Sequence, residues 1–185
     1  MLKFRSPFAQ RPAYAAGQAL YAAAAAQARA PAFYLEGGVE DSIEGRFELY
    51  LLHVALLVNR LRGCGPRAAE TNQVLFDAFL KGLDDALREM GVGDLSVGKK
   101  MRRLGEAFYG RAKGYAAALA ADDGAELEAL VARTVYAERD DSDVRAAPLA
   151  SYVARAAATL AAQPVDALLA GEARFPTFAS EENRA

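Results

Sequence analysis

The chain of 185 residues contains one cysteine, one histidine and no tryptophan. A single cysteine, Cys64, excludes an internal disulfide and a cysteine-ligated zinc site, and it suits a reducing compartment. The single histidine, His53, has no glutamate at the E-x-x-H spacing of a carboxylate-bridged di-iron bundle; Glu44 and Glu48 stand at other offsets. No stretch reaches the roughly 18 consecutive apolar residues of a membrane span. No segment alternates apolar and polar with the period of a strand. Charge of neither sign dominates, with 22 basic and 24 acidic side chains and a formal net charge of −2. Attraction to nucleic acid would therefore have to come from a local patch, and DNA binding is not expected. A soluble, cytoplasmic protein is expected.

What the chain does have is apolar residues, 53% of the total, in helical order almost throughout. The expectation is one all-α domain of six to seven helices over 12–178, with an N-terminal arm at 1–11 and a tail at 179–185. The alanine-dense stretch after Lys3, Arg5 and Arg11 imitates a signal peptide ending in A-x-A. Tyr14, Gln18, Tyr21 and Gln27 interrupt it, so it reads as a first helix, from Pro12 to Arg29, stopped near Pro31. A second helix follows Asp41 and Ser42 and runs to Gly63; being apolar nearly all round, it should be the central one. A third spans Pro66 to Met90 with Gly91 as its C-terminal cap, and its stripe of Leu75, Phe79, Leu83 and Leu87 should face the core. A fourth follows a capping Ser96 and reaches Ala121. A fifth begins at Asp123, spaced from Glu126 like a capping box. After an acidic loop at 139–143, a sixth runs from Pro148 to Ala162 and a short seventh from Pro164 to Gly171. The FPTF segment, 175–178, should pack down onto the domain.

The segment GDLSVGKKMRR, 93–103, nearly spells the phosphate loop G-x-x-x-x-G-K-[ST]. That loop needs a buried strand before it and a hydroxyl for magnesium. Here a helix precedes it, Lys100 replaces the hydroxyl, and Asp94 puts negative charge into the supposed anion cradle. It is not a nucleotide site. On a helical wheel, Val97, Met101, Leu104, Phe108, Ala112, Tyr115 and Leu119 form the core stripe. Lys99, Arg102, Arg103 and Lys113 gather opposite, flanked by Lys100 and Arg111, six cations against the one carboxylate of Glu106. A solvated face is the plain reading of such a run. Against it, Lys99 and Lys100 fall in the expected first turn, where the dipole disfavours cations, and Gly110 and Gly114 lower helix stability. The expectation is a contact surface comprising Asp94, Lys99, Lys100, Arg102, Arg103, Tyr109, Gly110, Arg111 and Lys113.

The run FDAFLKGLDDALREMGVGDLSVGKKMRRLGEAFYGR resembles the ubiquinol–cytochrome c chaperone family, as does GRFELYLLHVALLVNRLRG. The likeness extends from about Tyr21 to Phe175. It implies an assembly chaperone for the cytochrome bc1 complex that binds newly made cytochrome b. It also implies the possibility of a small helper protein, a ribosome or an anionic membrane surface as partner, and of a peripheral position at the inner membrane. Without the N-terminal extension of mitochondrial members, a bacterial member is expected. The family supplies no catalytic residues, and no cofactor is expected.

The remaining chemistry-bearing residues have structural readings. His53 reads as a satisfied core histidine, with haem ligation as its alternative. Asp84, Asp85 and Glu89 read as a wet helix face, and Cys64, between two glycines, lacks a base. No triad, metal site or cofactor box assembles, so enzymatic activity is not expected. A ribosome- or RNA-binding module built on the basic helix 96–115 is the alternative function.

Overall fold

The computed structural model describes residues 12–91, 94–121, 124–137 and 142–178. Among them are eight helices and no strand: α1 (Pro12–Ala28), α2 (Pro31–Leu35), α3 (Ile43–Leu61), α4 (Pro66–Glu89), α5 (Asp94–Ala120), α6 (Gly124–Val135), α7 (Ser142–Ala162) and α8 (Val165–Leu169). The expected arm 1–11, the tail 179–185, Gly93 and the Asp123 cap lie outside the described residues. No described helix is long and apolar enough to cross a membrane.

Helix α3 is the axis of the bundle and packs against α1, α4, α5, α6 and α7. Its nearly continuous apolar run leaves no face for water, and every residue from Leu51 to Leu57 is buried. Ser42 caps its start by accepting a hydrogen bond from the Gly45 amide at 3.2 Å, with Glu44 in the first turn where the dipole favours an anion. Helix α1 is built almost wholly of small residues and lies close against α4. A Cβ at Gly17 would fall within 2.6 Å of Val74, so this crossing requires glycine. Helix α4 opens with Pro66 at its first turn, and Gly91 follows its C-terminal cap residue Met90 with φ +78°, a left-handed conformation that suits glycine. Arg60 donates to the carbonyls of Leu160 and Gln163, both at 2.9 Å, and so satisfies the end of α7.

Three boundaries differ from the sequence reading. Pro31 does end α1, but it also starts α2, a single turn whose Phe33 is fully buried. Helix α5 begins at Asp94, so Ser96 lies inside it and caps nothing. Helix α7 begins at Ser142, with Pro148 inside rather than at its start. A proline there removes one backbone hydrogen bond; the buried Ala146, Leu149, Ala150 and Val153 hold that part of the helix in the core regardless. Of the expected acidic loop, 139–141 lie outside the described residues, and Ser142 and Asp143 belong to α7.

The FPTF segment packs down as expected. The Phe175 ring centroid lies 5.1 Å from that of His53, and Phe178 lies 5.1 Å from Phe33. Between them runs a buried polar chain. His53 Nδ1 lies 2.7 Å from the Leu49 carbonyl and acts as the donor, which leaves Nε2 to accept from the Tyr152 hydroxyl at 2.8 Å. Gln27 donates to Tyr152 at 3.1 Å and to the Pro176 carbonyl at 3.0 Å. One histidine thus ties α3 and α7 to α1 and the C-terminal segment. Both ring nitrogens are committed, so the haem-ligand alternative has no free nitrogen to rest on.

Candidate binding groove

Helix α5 presents its apolar stripe inward, as the wheel requires. Val97, Phe108, Ala112 and Tyr115 are buried, and Met101, Leu104 and Leu119 are half-buried. Lys99, Lys100, Arg102, Arg103, Gly110 and Lys113 are exposed. Tyr109 is 63% exposed and leans on Phe76, with ring centroids 5.2 Å apart. The Asp94 side chain lies outside the described residues. Because α5 starts two residues earlier than Ser96, Lys99 and Lys100 sit in the second turn. The dipole penalty read from the sequence falls off within the first turn and does not apply to them.

Arg111 is separated from the other cations. It turns inward and holds Glu48 of α3 through two hydrogen bonds, each of 2.6 Å. Burial pushes the Glu48 carboxyl above its usual range, and the Arg111 hydrogen bonds and charge only partly oppose this. Arg111 joins α5 to α3 and is not part of the exposed basic face.

Gly98, Gly105 and Gly110 of α5 have open surroundings, whereas a Cβ at Gly114 would lie 3.2 Å from the Leu130 side chain. A Cβ at Gly105 or Gly110 would meet nothing within 4 Å, so packing does not demand glycine there. Gly105→Ala and Gly110→Ala should each raise stability by about 0.5–1 kcal/mol, read as an increased midpoint of urea unfolding. A loss of stability would show that α5 packs differently along this face.

Beside the basic face, α1, α3, α4 and α5 leave a half-open groove of about 650 Å³. That volume is within the ~300–1,000 Å³ typical of binding clefts. Its walls are Leu83 and Leu87 of α4 and its cap residue Met90, Phe47 and Tyr50 of α3, and Leu104 of α5, with Tyr21 and alanines of α1. Gly82 sits where a Cβ would collide with the Tyr21 hydroxyl, so glycine lets that ring lie against α4. Arg29, Arg46, Lys100 and Arg103 stand around the opening, against Glu44 and Glu89. Arg46 is engaged by Asp41 at 2.5 Å, whose carboxyl it holds below the usual range.

The groove draws on residues that the sequence reading placed elsewhere. Leu83 and Leu87 were expected in the core stripe of α4, yet they are only half-buried and line the opening. Met90 is 48% exposed. Tyr21, Tyr34, Arg29 and Arg46 carried no sequence signal, because helices distant along the chain bring them together. Of the expected contact residues, Lys100 and Arg103 line the groove.

Asp84 and Asp85 pair with Arg88 and Lys81 at 2.6 and 2.7 Å, one helical turn away, which is the wet face expected. Among the described residues, no group of three His, Cys, Asp or Glu side chains could hold a metal.

A family model described as ubiquinol–cytochrome C chaperone matches residues 35–175, from the end of α2 through the first phenylalanine of FPTF. The chain belongs to that family. A crystal structure of a Cbp3 homolog from Brucella abortus is similar throughout, with 33% identity, a TM-score of 0.83, and coverage of 90% of this chain and 92% of that one. No curated protein sequence matches. The family match includes the groove walls from α3, α4 and α5 and both groove cations of α5, while α1 precedes it. In this chain the matched helical domain and α1 together form an open apolar groove with cations at its rim.

Proposed function

We propose that this protein is a non-enzymatic chaperone for assembly of the cytochrome bc1 complex and that its client is newly made cytochrome b. The observation that carries the reading is the groove. A client whose membrane segments are apolar needs an apolar surface to shelter them, and a charged rim keeps the chaperone itself soluble. Family membership supplies the respiratory complex and supports a holding role. A peripheral position at the inner membrane, where such a client is inserted, follows from the same reading, with the cytoplasm as the soluble reservoir.

The exposed cations and Tyr109 on α5 favour a second reading, contact with ribosomal RNA at the point of client synthesis. Lysine and arginine meet phosphates, and an exposed tyrosine can stack on a base. One experiment separates the two. Deletion should deplete assembled bc1 complex while other respiratory complexes persist, and the tagged protein should recover cytochrome b from native membranes. Normal bc1 levels in the deletion strain reject the client reading; recovery of ribosomes without cytochrome b replaces it with the second.

A further inference from the structure

We propose that the groove selects an apolar helix that carries carboxylates at one end, and that Arg29, Lys100 and Arg103 read those carboxylates. This rests on the chaperone reading and specifies the kind of segment it holds. Three observations carry it. First, no strand lies among the described residues, so there is no sheet edge on which an extended peptide could add itself. Leu83, Leu87 and Met90 instead recur at helical spacing along α4, a ridge of the kind that seats between the side-chain rows of a second helix. Second, the wall is adaptable at its open end, where the unbranched side chain of Met90 is nearly half exposed.

Third, the charge is unbalanced. Arg46 is occupied by Asp41, whereas Arg29, Lys100 and Arg103 form no ion pair with a described residue. Arg29 directly follows α1, Lys100 and Arg103 lie on α5, and the three converge on one opening. Glu44 and Glu89 offset part of this charge, and the cationic excess that remains disfavours a client segment ending in lysine or arginine. Apolar contact therefore supplies affinity, while the rim supplies orientation and choice of segment.

The test uses two synthetic helical peptides of identical leucine–alanine sequence, one ending in two glutamates and the other in two lysines. Fluorescence anisotropy with the full chain at low salt should show the acidic peptide bound about tenfold more tightly, the preference shrinking in 0.5 M salt. Lys100→Glu with Arg103→Glu should abolish or reverse the preference while leaving the circular dichroism unchanged, since both side chains are exposed. Leu87→Asp should weaken both peptides. Equal binding of the two peptides, binding of neither, or a preference that survives the charge reversal overturns the proposal. Displacement of the acidic peptide by vesicles of anionic phospholipid, with no effect from zwitterionic ones, would assign the rim to a bilayer and overturn it as well. Recovery of cytochrome b from membranes is scored separately. If cytochrome b is recovered and the peptides bind equally, the charge reading fails and the chaperone reading stands. If cytochrome b is not recovered but the acidic preference holds, the groove keeps its specificity and loses its proposed client.

Discussion

Arg111→Ala should destabilise the protein by about 3 kcal/mol at neutral pH, the range found when one partner of a buried ion pair is removed. The side chains of Glu48 and Arg111 are only 10% and 27% exposed, and each arginine hydrogen bond has its own carboxylate oxygen. Without the guanidinium, Glu48 remains between α3 and α5 with nothing to compensate its charge. It can then take up a proton or draw water into the bundle, and both cost free energy. Burial already raises the Glu48 carboxyl with Arg111 present, so the pair is not strongly stabilising in itself. The double variant Glu48→Leu, Arg111→Met should therefore recover to within about 1 kcal/mol of the parent, because it removes both charges and keeps the volume. The Arg111→Ala defect should also shrink as pH falls, since a protonated Glu48 carries no charge to strand. Urea unfolding at several pH values reads all three results. An Arg111→Ala variant within 0.5 kcal/mol of the parent would show that the bridge is solvated and structurally idle.

Arg111 also shows where periodicity stops being informative. A helical wheel places its Cα on the flank of the basic face, beside Lys100. Which way a long side chain turns depends on a carboxylate 63 residues earlier, and no local pattern reports that. The same limit hid the groove. Leu83 and Leu87 obey the apolar rule of α4, and the sequence reading rightly put them on the stripe that holds Leu75 and Phe79. Whether a stripe is covered along its whole length depends on how far the neighbouring helices extend, which is a property of the assembled bundle. What was legible was what local chemistry determines: the all-apolar α3 and its start after Ser42, the stop at Gly91 and the inward stripe of α5. The misplaced starts of α5 and α7 have different causes. Ser96 and Pro148 are both good helix-start residues, but Asp94 also suits the first turn of α5, and tertiary packing tolerates a proline inside α7. The described part of the segment 93–103 is thus a helix start, and its Lys100 and Arg103 line a groove that the segment alone could not reveal.

The largest pH effect should come from His53, and it should appear as a loss of stability between about pH 6.5 and pH 4. The ring is fully buried, and burial lowers its pKa from 6.5 to about 4, with the Leu49 carbonyl opposing the shift. Across that interval the native histidine is neutral while the unfolded one is protonated. The unfolded state then binds more protons, and stability falls as the pH is lowered. At about 1.4 kcal/mol per pKa unit, the full window amounts to roughly 3 kcal/mol, all of it retained above pH 6.5. Protonation of Nε2 would also turn it from an acceptor into a donor facing the Tyr152 hydroxyl, which already accepts from Gln27. The chain of hydrogen bonds to α1 and the C-terminal segment would then have to reorganise. His53→Gln keeps a side-chain donor and acceptor but cannot titrate. It should flatten the pH dependence of the unfolding free energy between pH 6.5 and 4 even if it lowers stability at pH 7. Parallel slopes for His53→Gln and the parent would mean that carboxylates, not this histidine, set the acid limit of the fold.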